Sequence, residues 1–584
     1  MATSAPGVAD HHAWVAMGTV LSFLFLSAAI RRRSSRKGPF LAALAGVTTG
    51  ILVASWTAAL LVVGVAGLVF MLLPLSPARG TARLGGPFFL GSGMAVLPFS
   101  LESPWLEAAP WSVVELSWSQ PVLLVAAGLA FLPAIFNPEK EKALLFRSLG
   151  LGGIFLLVLG ISGWGPGEGI REGFSWVTRS DSFMSRVAES EPLFRPDSTG
   201  TGGFLTWLGL TGFLFIVLAP RCLFRALKTV PEQLPWISLA FVGFVLALLQ
   251  RRFADLAVPG LAVVVALRLA PMLVNRKFAL RAILCVGLAG ILQFPTLGMI
   301  MDRGCSGEPR LDDRVAGERQ LARWLGSQGS GNGVLSTWDL GHLLEWEAEA
   351  GTVVSNFGTY LGPSGWRDAA AFFLARDPST AEAILKKRDI RFVLRPSRML
   401  HSLEALSEAV HPGGPNPFFV KRGSNRLELQ PAWFSTPGNL LGGWGDPDGP
   451  DGQQPPLRFL RLVHVSPLGD HDPRMASSGK PIPVGHIWER VEGAWLEARG
   501  KPGEELRIDL EVGFRQDTLT YFNLRYGDSV LAGEDGVARL RIPWATDRNG
   551  DAQVERARWR FGESGGDLIV PQDAVLEGAV VALG

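Results

Sequence analysis

Four short stretches of the 584-residue chain carry side chains whose types and spacing can do chemistry together. Asp10 and His12, in Pro6-Gly7-Val8-Ala9-Asp10-His11-His12, fall on one side of an extended segment. There a carboxylate oxygen and an imidazole nitrogen can share a divalent cation; as a solvated tail, the same residues would be inert. Glu189 sits in Ser185-Arg186-Val187-Ala188-Glu189-Ser190-Glu191-Pro192, either a solvated loop carboxylate or a working one. Arg252 opens an apolar run, Arg252-Phe253-Ala254-Asp255. It reads as a guanidinium that snorkels to headgroups or as one that holds a phosphate by paired hydrogen bonds. Trp338-Asp339, within Ser336-Thr337-Trp338-Asp339-Leu340-Gly341-His342, offers a flat aromatic face, a carboxylate acceptor and a backbone free to turn. That combination suits a peptide pocket and equally a core Trp beside a turn-capping Asp.

The elements that must position these residues divide sharply. With 48% apolar residues and a positive mean hydropathy, at least part of the chain belongs in a membrane. Apolar runs suited to roughly 30 Å of hydrocarbon lie at Trp14–Ile30, Pro39–Trp56, Thr57–Leu75, Pro87–Leu101, Pro121–Phe136, Leu145–Ile161, Phe204–Ala219, Leu234–Leu249, Phe253–Val274 and Phe278–Ile300, about ten helices in all. Basic residues cluster at alternate connections: Arg31 to Arg33 with Arg36 and Lys37, Arg79 with Arg83, Lys140 with Lys142, Arg221 with Arg225 and Lys228, and Arg276 with Lys277. Those connections are expected to be cytoplasmic, so the N-terminus, the long loop 164–203 and everything after Asp302 face outward. A loop of that length is more than a connection. The expected location is the cytoplasmic (inner) membrane, with the C-terminal soluble part on the outer, periplasmic face.

Past Asp302 the periodicity becomes mixed α/β. Helices are expected at Arg314–Leu325, Trp366–Leu374, Ser379–Lys387 and from Met399 to about Val410, with strands at Gly333–Ser336 and Ile390–Leu394. The Pro/Gly-rich stretch Pro437–Pro456 reads as a linker. Beyond it, Leu457–Val465, Ile487–Val491, Glu504–Phe514, Thr518–Tyr526, Val537–Pro543 and Ala552–Phe561 alternate as short strands of a β-sandwich or barrel. The expected domains are therefore 1–302 in the membrane, 303–436 soluble α/β, 437–456 linker and 457–584 β-rich. There is no nucleotide-binding glycine loop, serine-nucleophile motif, Cys-x-x-Cys pair or internal repeat. No nucleic-acid partner is expected, and three cysteines give no disulfide framework.

Together these stretches resemble the catalytic subunit of oligosaccharyltransferases of the bacterial and archaeal single-subunit type. Thr337-Trp338-Asp339-Leu340-Gly341 resembles the family's Trp-Trp-Asp-Tyr-Gly signature, with Thr337 and Leu340 departing from it. Val187-Ala188-Glu189-Ser190-Glu191 resembles the motif of the family's last large external loop. Asp10-His11-His12 is similar to its second acidic, metal-binding motif. Arg252-Phe253 through Val258-Pro259 is similar to the helix whose arginine contacts the lipid-linked pyrophosphate. Pro396-Ser397-Arg398-Met399 is similar to the bacterial helix that completes the sequon pocket, with Ser402 where isoleucine is expected. Arg461-Leu462-Val463-His464 and the late strands are similar to the C-terminal region of archaeal members. Six expected helices separate Asp10 from the large loop and four follow it, which matches the family from its fourth helix onward. The family's first three helices, and the external loop that supplies another metal-binding Asp, have no counterpart in the sequence, and a truncated chain is the expectation.

The resemblance implies a GT-C-type glycosyltransferase: a polytopic α-helical membrane domain followed by a mixed α/β periplasmic or extracellular domain with a β-rich C-terminal region. It implies transfer of an oligosaccharide from a lipid-pyrophosphate carrier to Asn in Asn-x-Ser/Thr of an acceptor polypeptide, with inversion at the sugar carbon. Asp10, His12 and Glu189 would hold Mn²⁺ or Mg²⁺, with Asp10 and Glu189 as catalytic carboxylates and Arg252 on the pyrophosphate. Trp338, Asp339 and Met399 would receive the sequon's Ser or Thr. Two other readings stand beside it: a polyprenyl-phosphate-dependent membrane glycosyltransferase acting on lipid or polysaccharide, and a non-catalytic membrane-anchored subunit.

Overall fold

A computed structural model describes residues 11–76, 80, 82–103, 105–137, 140–162, 165–180, 191–193, 201–273, 311–355, 363–413, 416–422, 426–443, 457–466, 469–470, 482–516, 519–547 and 551–583. The chain forms two compact units, 1–306 and 307–584.

The first unit is helical: α1 (His11–Arg31), α2 (Lys37–Ser55), α3 (Leu60–Leu72), α4 (Ala82–Leu101), α5 (Ser119–Leu129), α6 (Glu141–Ser162), α7 (Pro166–Thr178), α8 (Thr201–Lys228), α9 (Leu234–Leu249) and α10 (Ala254–Leu273). Among the described residues, seven helical stretches are long and apolar enough to cross a membrane, from Trp14–Arg31 to Pro231–Leu249. The expected span Phe278–Ile300 lies outside the described residues. Small residues let α2 and α4 meet backbone to backbone. A methyl added at Gly46 would fall 2.0 Å from the Phe88 carbonyl oxygen, and Ser92 Oγ donates to Gly46 O at 3.0 Å. Phe70, Phe88, Phe89 and Phe131 fill the neighbouring core with edge and stacked contacts at 5.2–5.8 Å. The long loop contains a helix: α7 has one strongly apolar face, and its Gly169 and Gly173 seat it on Trp111 and Val113.

The second unit is built on a five-stranded sheet of order β2-β1-β3-β5-β4, from β1 (Gly333–Leu335), β2 (Gly351–Thr352), β3 (Ile390–Pro396), β4 (Leu460–Val465) and β5 (Gly485–Arg490). β1 runs parallel to β2 and β3, while β5 is antiparallel to both β3 and β4, pairing Val393 with Trp488. The helix α11 (Leu311–Ser327) buries Leu321, Ala322 and Leu325 against Val334, Phe392, Leu394, Val463 and Ile487. The helices α12 (Gly341–Glu347), α13 (Pro363–Leu374), α14 (Pro378–Lys387) and α15 (Met399–Val410) complete this half. Strands β6 (Ala494–Arg499), β7 (Glu505–Gln516), β8 (Leu519–Leu531), β9 (Val537–Ile542), β10 (Ala552–Phe561), β11 (Ser564–Asp567) and β12 (Val580–Ala582) form two further sheets, β9-β6-β12 and β8-β7-β10-β11.

Two local differences from the sequence reading have clear causes. Strands β4 and β5 join the α/β sheet rather than the later β-rich part: β5 lies between β3 and β4, and both strands are buried along nearly all their length. Residues Pro437–Gly443 of the expected linker form a short helix that sinks Leu440 and Leu441 into the core.

Candidate active site

In the membrane unit the turn between α9 and α10 gathers the chemistry. Gln250 ends α9 in extended conformation (φ −144°, ψ 120°) and Arg251–Phe253 form a single 3₁₀ turn. The buried Gln250 amide donates to the carbonyls of Trp176 at 2.8 Å and Val177 at 2.7 Å at the end of α7, where the Trp176 carbonyl also takes the Arg179 amide at 3.4 Å. The Arg251 amide donates to the Glu191 carbonyl at 2.7 Å. Its guanidinium pairs with the Glu191 carboxylate at 3.5 Å and lies 5.8 Å from the Trp207 ring centre. The Arg252 guanidinium sits over the Trp176 ring at 3.9 Å, and Phe253, fully buried, meets Trp176 at 5.9 Å.

Asp10 and Glu189 lie outside the described residues. His12 falls in the first turn of α1, with its side chain outside them too. Among the described residues, no group of three or more His, Cys, Asp or Glu is placed to hold a metal ion.

One carboxylate pair stands next to α7. The Ser112 hydroxyl contacts Glu115 and, at 2.7 Å, Glu172 of α7. Burial pushes Glu115 up to about 7; the Ser112 hydrogen bond works against this and the Glu172 charge adds to it.

In the soluble unit the Trp-Asp stretch follows β1. Ser336 Oγ donates to Leu394 O of β3 at 2.8 Å, Thr337 is extended, and Trp338–Leu340 make one 3₁₀ turn before α12. Gly341 is obligatory, since an added Cβ would lie 2.2 Å from Ser355 Cα. Leu340 is buried, Asp339 exposed, and the half-buried Trp338 ring meets the Trp366 ring of α13 edge-on at 5.0 Å. Because β1 and β3 are parallel neighbours, their carboxyl ends deliver Trp338-Asp339 and Ser397-Arg398-Met399 to the same end of the sheet. In α/β sheets, that end is where ligands bind. Met399 itself, the first residue of α15, is fully buried.

Beside the turn, a His342 hydrogen bond at 3.3 Å, joined by one from Thr352, holds the Glu345 carboxyl below its usual range against the opposing effect of burial. Deeper in the sheet, burial pushes His486, opposite Arg395 on the β3–β5 pair, down to about 3. The nearby Arg395 charge acts in the same direction, so the imidazole is neutral.

Sequence reasoning missed Trp366, Trp176 and Gln250. A polar Gln closing an apolar helix, and a Trp on the apolar face of a periodic segment inside a long loop, were the available signals.

These features define a class: a polytopic membrane protein whose soluble α/β unit carries an aromatic-and-acid turn at the carboxyl ends of its parallel strands. No family model matches the sequence, and no curated protein matches it. Among solved structures, the fold is that of the archaeal oligosaccharyltransferase AglB from Archaeoglobus fulgidus. The form in complex with an inhibitory peptide and a dolichol-phosphate is 15% identical, over 99% of this chain and 82% of that one, with a TM-score of 0.72. The A. fulgidus enzyme tethered by a disulfide to an acceptor peptide containing the NVT sequon is 16% identical over 100% and 82%, with a TM-score of 0.70. Its complex with Zn and sulfate is 16% identical over 99% and 82%, with a TM-score of 0.65.

Proposed function

We propose that the chain is a glycosyltransferase that moves an oligosaccharide from a lipid-pyrophosphate carrier onto the side-chain amide of Asn in Asn-x-Ser/Thr segments, with inversion at the sugar carbon. The supporting observation is the turn of Trp338 and Asp339, braced by Trp366 and set at the carboxyl ends of parallel strands, in a chain with the AglB fold. The membrane unit would lie in the cytoplasmic (inner) membrane, with the soluble unit on its outer face.

An amide nitrogen is a poor nucleophile because its lone pair is delocalised, the resonance that gives peptides a rotation barrier of about 18–20 kcal/mol. Carboxylates that accept hydrogen bonds from the acceptor NH groups weaken this conjugation. Glu189 is the residue assigned to that task. The nitrogen attacks the anomeric carbon as the bond to the pyrophosphate oxygen breaks, and Arg252, held against Trp176, meets the charge left on the phosphate. Asp10, His12 and Glu189 are the residues that would hold Mn²⁺ or Mg²⁺, through two carboxylates and an imidazole. Such a cation supplies Lewis-acid neutralisation of the leaving group. On the acceptor side, Trp338 and Asp339 take the hydroxyl of the Ser or Thr. A pocket built for that hydroxyl rejects a residue lacking it, because its own polar groups would stay unpaired. Met399 is assigned to the methyl of the Thr.

The test is transfer by purified protein in detergent, given lipid-linked oligosaccharide, Mn²⁺ and an Asn-x-Thr peptide. Product is expected with Asn but not with Gln at the acceptor position, and Asp339→Ala should raise the peptide KM at least tenfold. An absence of product with the unaltered chain overturns the proposal.

A further inference from the structure

The large loop is tied down at two points, and both ties run to the same four residues. On its upstream side the buried Gln250 amide bonds the carbonyls of Trp176 and Val177. On its downstream side Arg251 binds Glu191 through both its backbone amide and its guanidinium. Arg252, between Arg251 and the buried Phe253, rests on the ring of the same Trp176.

We infer that Gln250 and Arg251 form a clamp that fixes both ends of the 178–191 segment to the turn bearing Arg252. Trp176 and Gln250 are thereby positioning residues for the phosphate-binding arginine. The inference rests on the proposed role of Arg252 and adds that donor binding and loop anchoring are one coupled event.

A side-chain amide that gives both hydrogens to carbonyls of one helix end, with no exposure to water, fixes that end in angle as well as distance. A guanidinium seated on an indole has the orientation of its plane fixed by the ring, and phosphate recognition depends on that plane because it uses in-plane hydrogen bonds. Glu191 is held through its carbonyl and its carboxylate at once, so Arg251 fixes both the backbone and the side chain at that end. The clamp therefore links the two described arms of the loop, at Trp176 and at Glu191, through the 250–253 turn.

The test uses the full chain in detergent micelles, with dolichyl phosphate as the probe and two readouts: hydrogen exchange of the stretches 174–193 and 248–256, and the Kd for the probe. Gln250→Leu should speed exchange in both stretches and weaken probe binding about tenfold. Trp176→Leu should weaken binding as much as Arg252→Gln does, and Trp176→Phe, which keeps a ring face, should stay within about twofold of the unaltered chain. Glu191→Gln gives the same decision at the more exposed end should Gln250→Leu not fold. Unchanged exchange, or faster exchange with an unchanged Kd, overturns the clamp, as does failure of the unaltered chain to bind the probe. Failure of peptide glycosylation alongside intact probe binding and the expected exchange pattern would overturn the proposed function and leave the clamp standing.

Discussion

Glu489→Gln should unfold the soluble unit early and weaken acceptor binding from a distance. Arg461, 1% exposed on β4, gives Nη2 and Nε to one Glu489 oxygen on β5 at 2.7 and 3.0 Å and Nη1 to Gln572 at 2.9 Å. The other Glu489 oxygen takes Arg391 of β3 at 3.3 Å. Neutralising the carboxylate strands a buried guanidinium in the sheet, a loss of about 3–5 kcal/mol. With a denaturant slope of about 2–3 kcal/mol/M, the urea midpoint of the soluble unit should fall by about 1–2.5 M. Thermolysin cleavage of the detergent-solubilised full chain across a urea series reads this midpoint. The double replacement Arg461→Met with Glu489→Leu removes both charges together and should recover most of the loss. Because β5 holds β3 in register and β3 runs directly into Ser397 and α15, the peptide KM should rise in the single variant and recover in the double. A midpoint shift below about 0.3 M for Glu489→Gln, or a double variant no better than the single, would refute the reasoning.

Three further outcomes follow from the geometry. The Glu115 carboxyl is raised from 4.5 to about 7, so its contribution to stability is complete below pH 4.5 and is lost as pH rises through about 7. Glu115→Gln should flatten that decline and gain about 1–2 kcal/mol at pH 8, allowing for partial solvent access, as read by thermal unfolding from pH 5 to 8. Gly341→Ala drives a methyl into the Ser355 backbone and should cost about 1–3 kcal/mol or more, with loss of peptide binding measured by calorimetry. Chelation with EDTA should abolish transfer, and Mn²⁺ or Mg²⁺ should restore it; transfer that persists in chelator would exclude the assigned cation.

The apolar periods announced the membrane helices because bilayer thickness sets their length. The helix–strand alternation after Asp302 likewise marked the elements of the soluble half, among them Arg314–Leu325 within α11 and Ile390–Leu394 within β3. Their partners were less legible. Leu457–Val465 and Ile487–Val491 read as strands, but nothing local says that the second pairs with β3 across a long insertion and the first with the second, since periodicity specifies a face and not a neighbour. The acceptor turn showed itself through Trp338, Asp339 and Gly341, whereas Trp366 arrives by tertiary contact alone. The clamp stayed hidden for the same reason: Gln250 and Trp176 lie 74 residues apart, and a backbone carbonyl acceptor leaves no trace in residue type.

The antiparallel pairing of β3 with β5 also has a consequence for how the protein is made. When β3 has been synthesised, the strand that covers its open edge is still about 90 residues from being made. At about 5–20 residues per second that is a wait of roughly 5–18 s with an Ile-Arg-Phe-Val-Leu-Arg-Pro strand unpaired on one side. Arg391 and Arg395 alternate with Phe392 and Leu394, and Pro396 ends the strand. Charges and a proline so placed are gatekeepers that discourage pairing with a neighbouring nascent chain. They protect an edge that the finished protein no longer exposes.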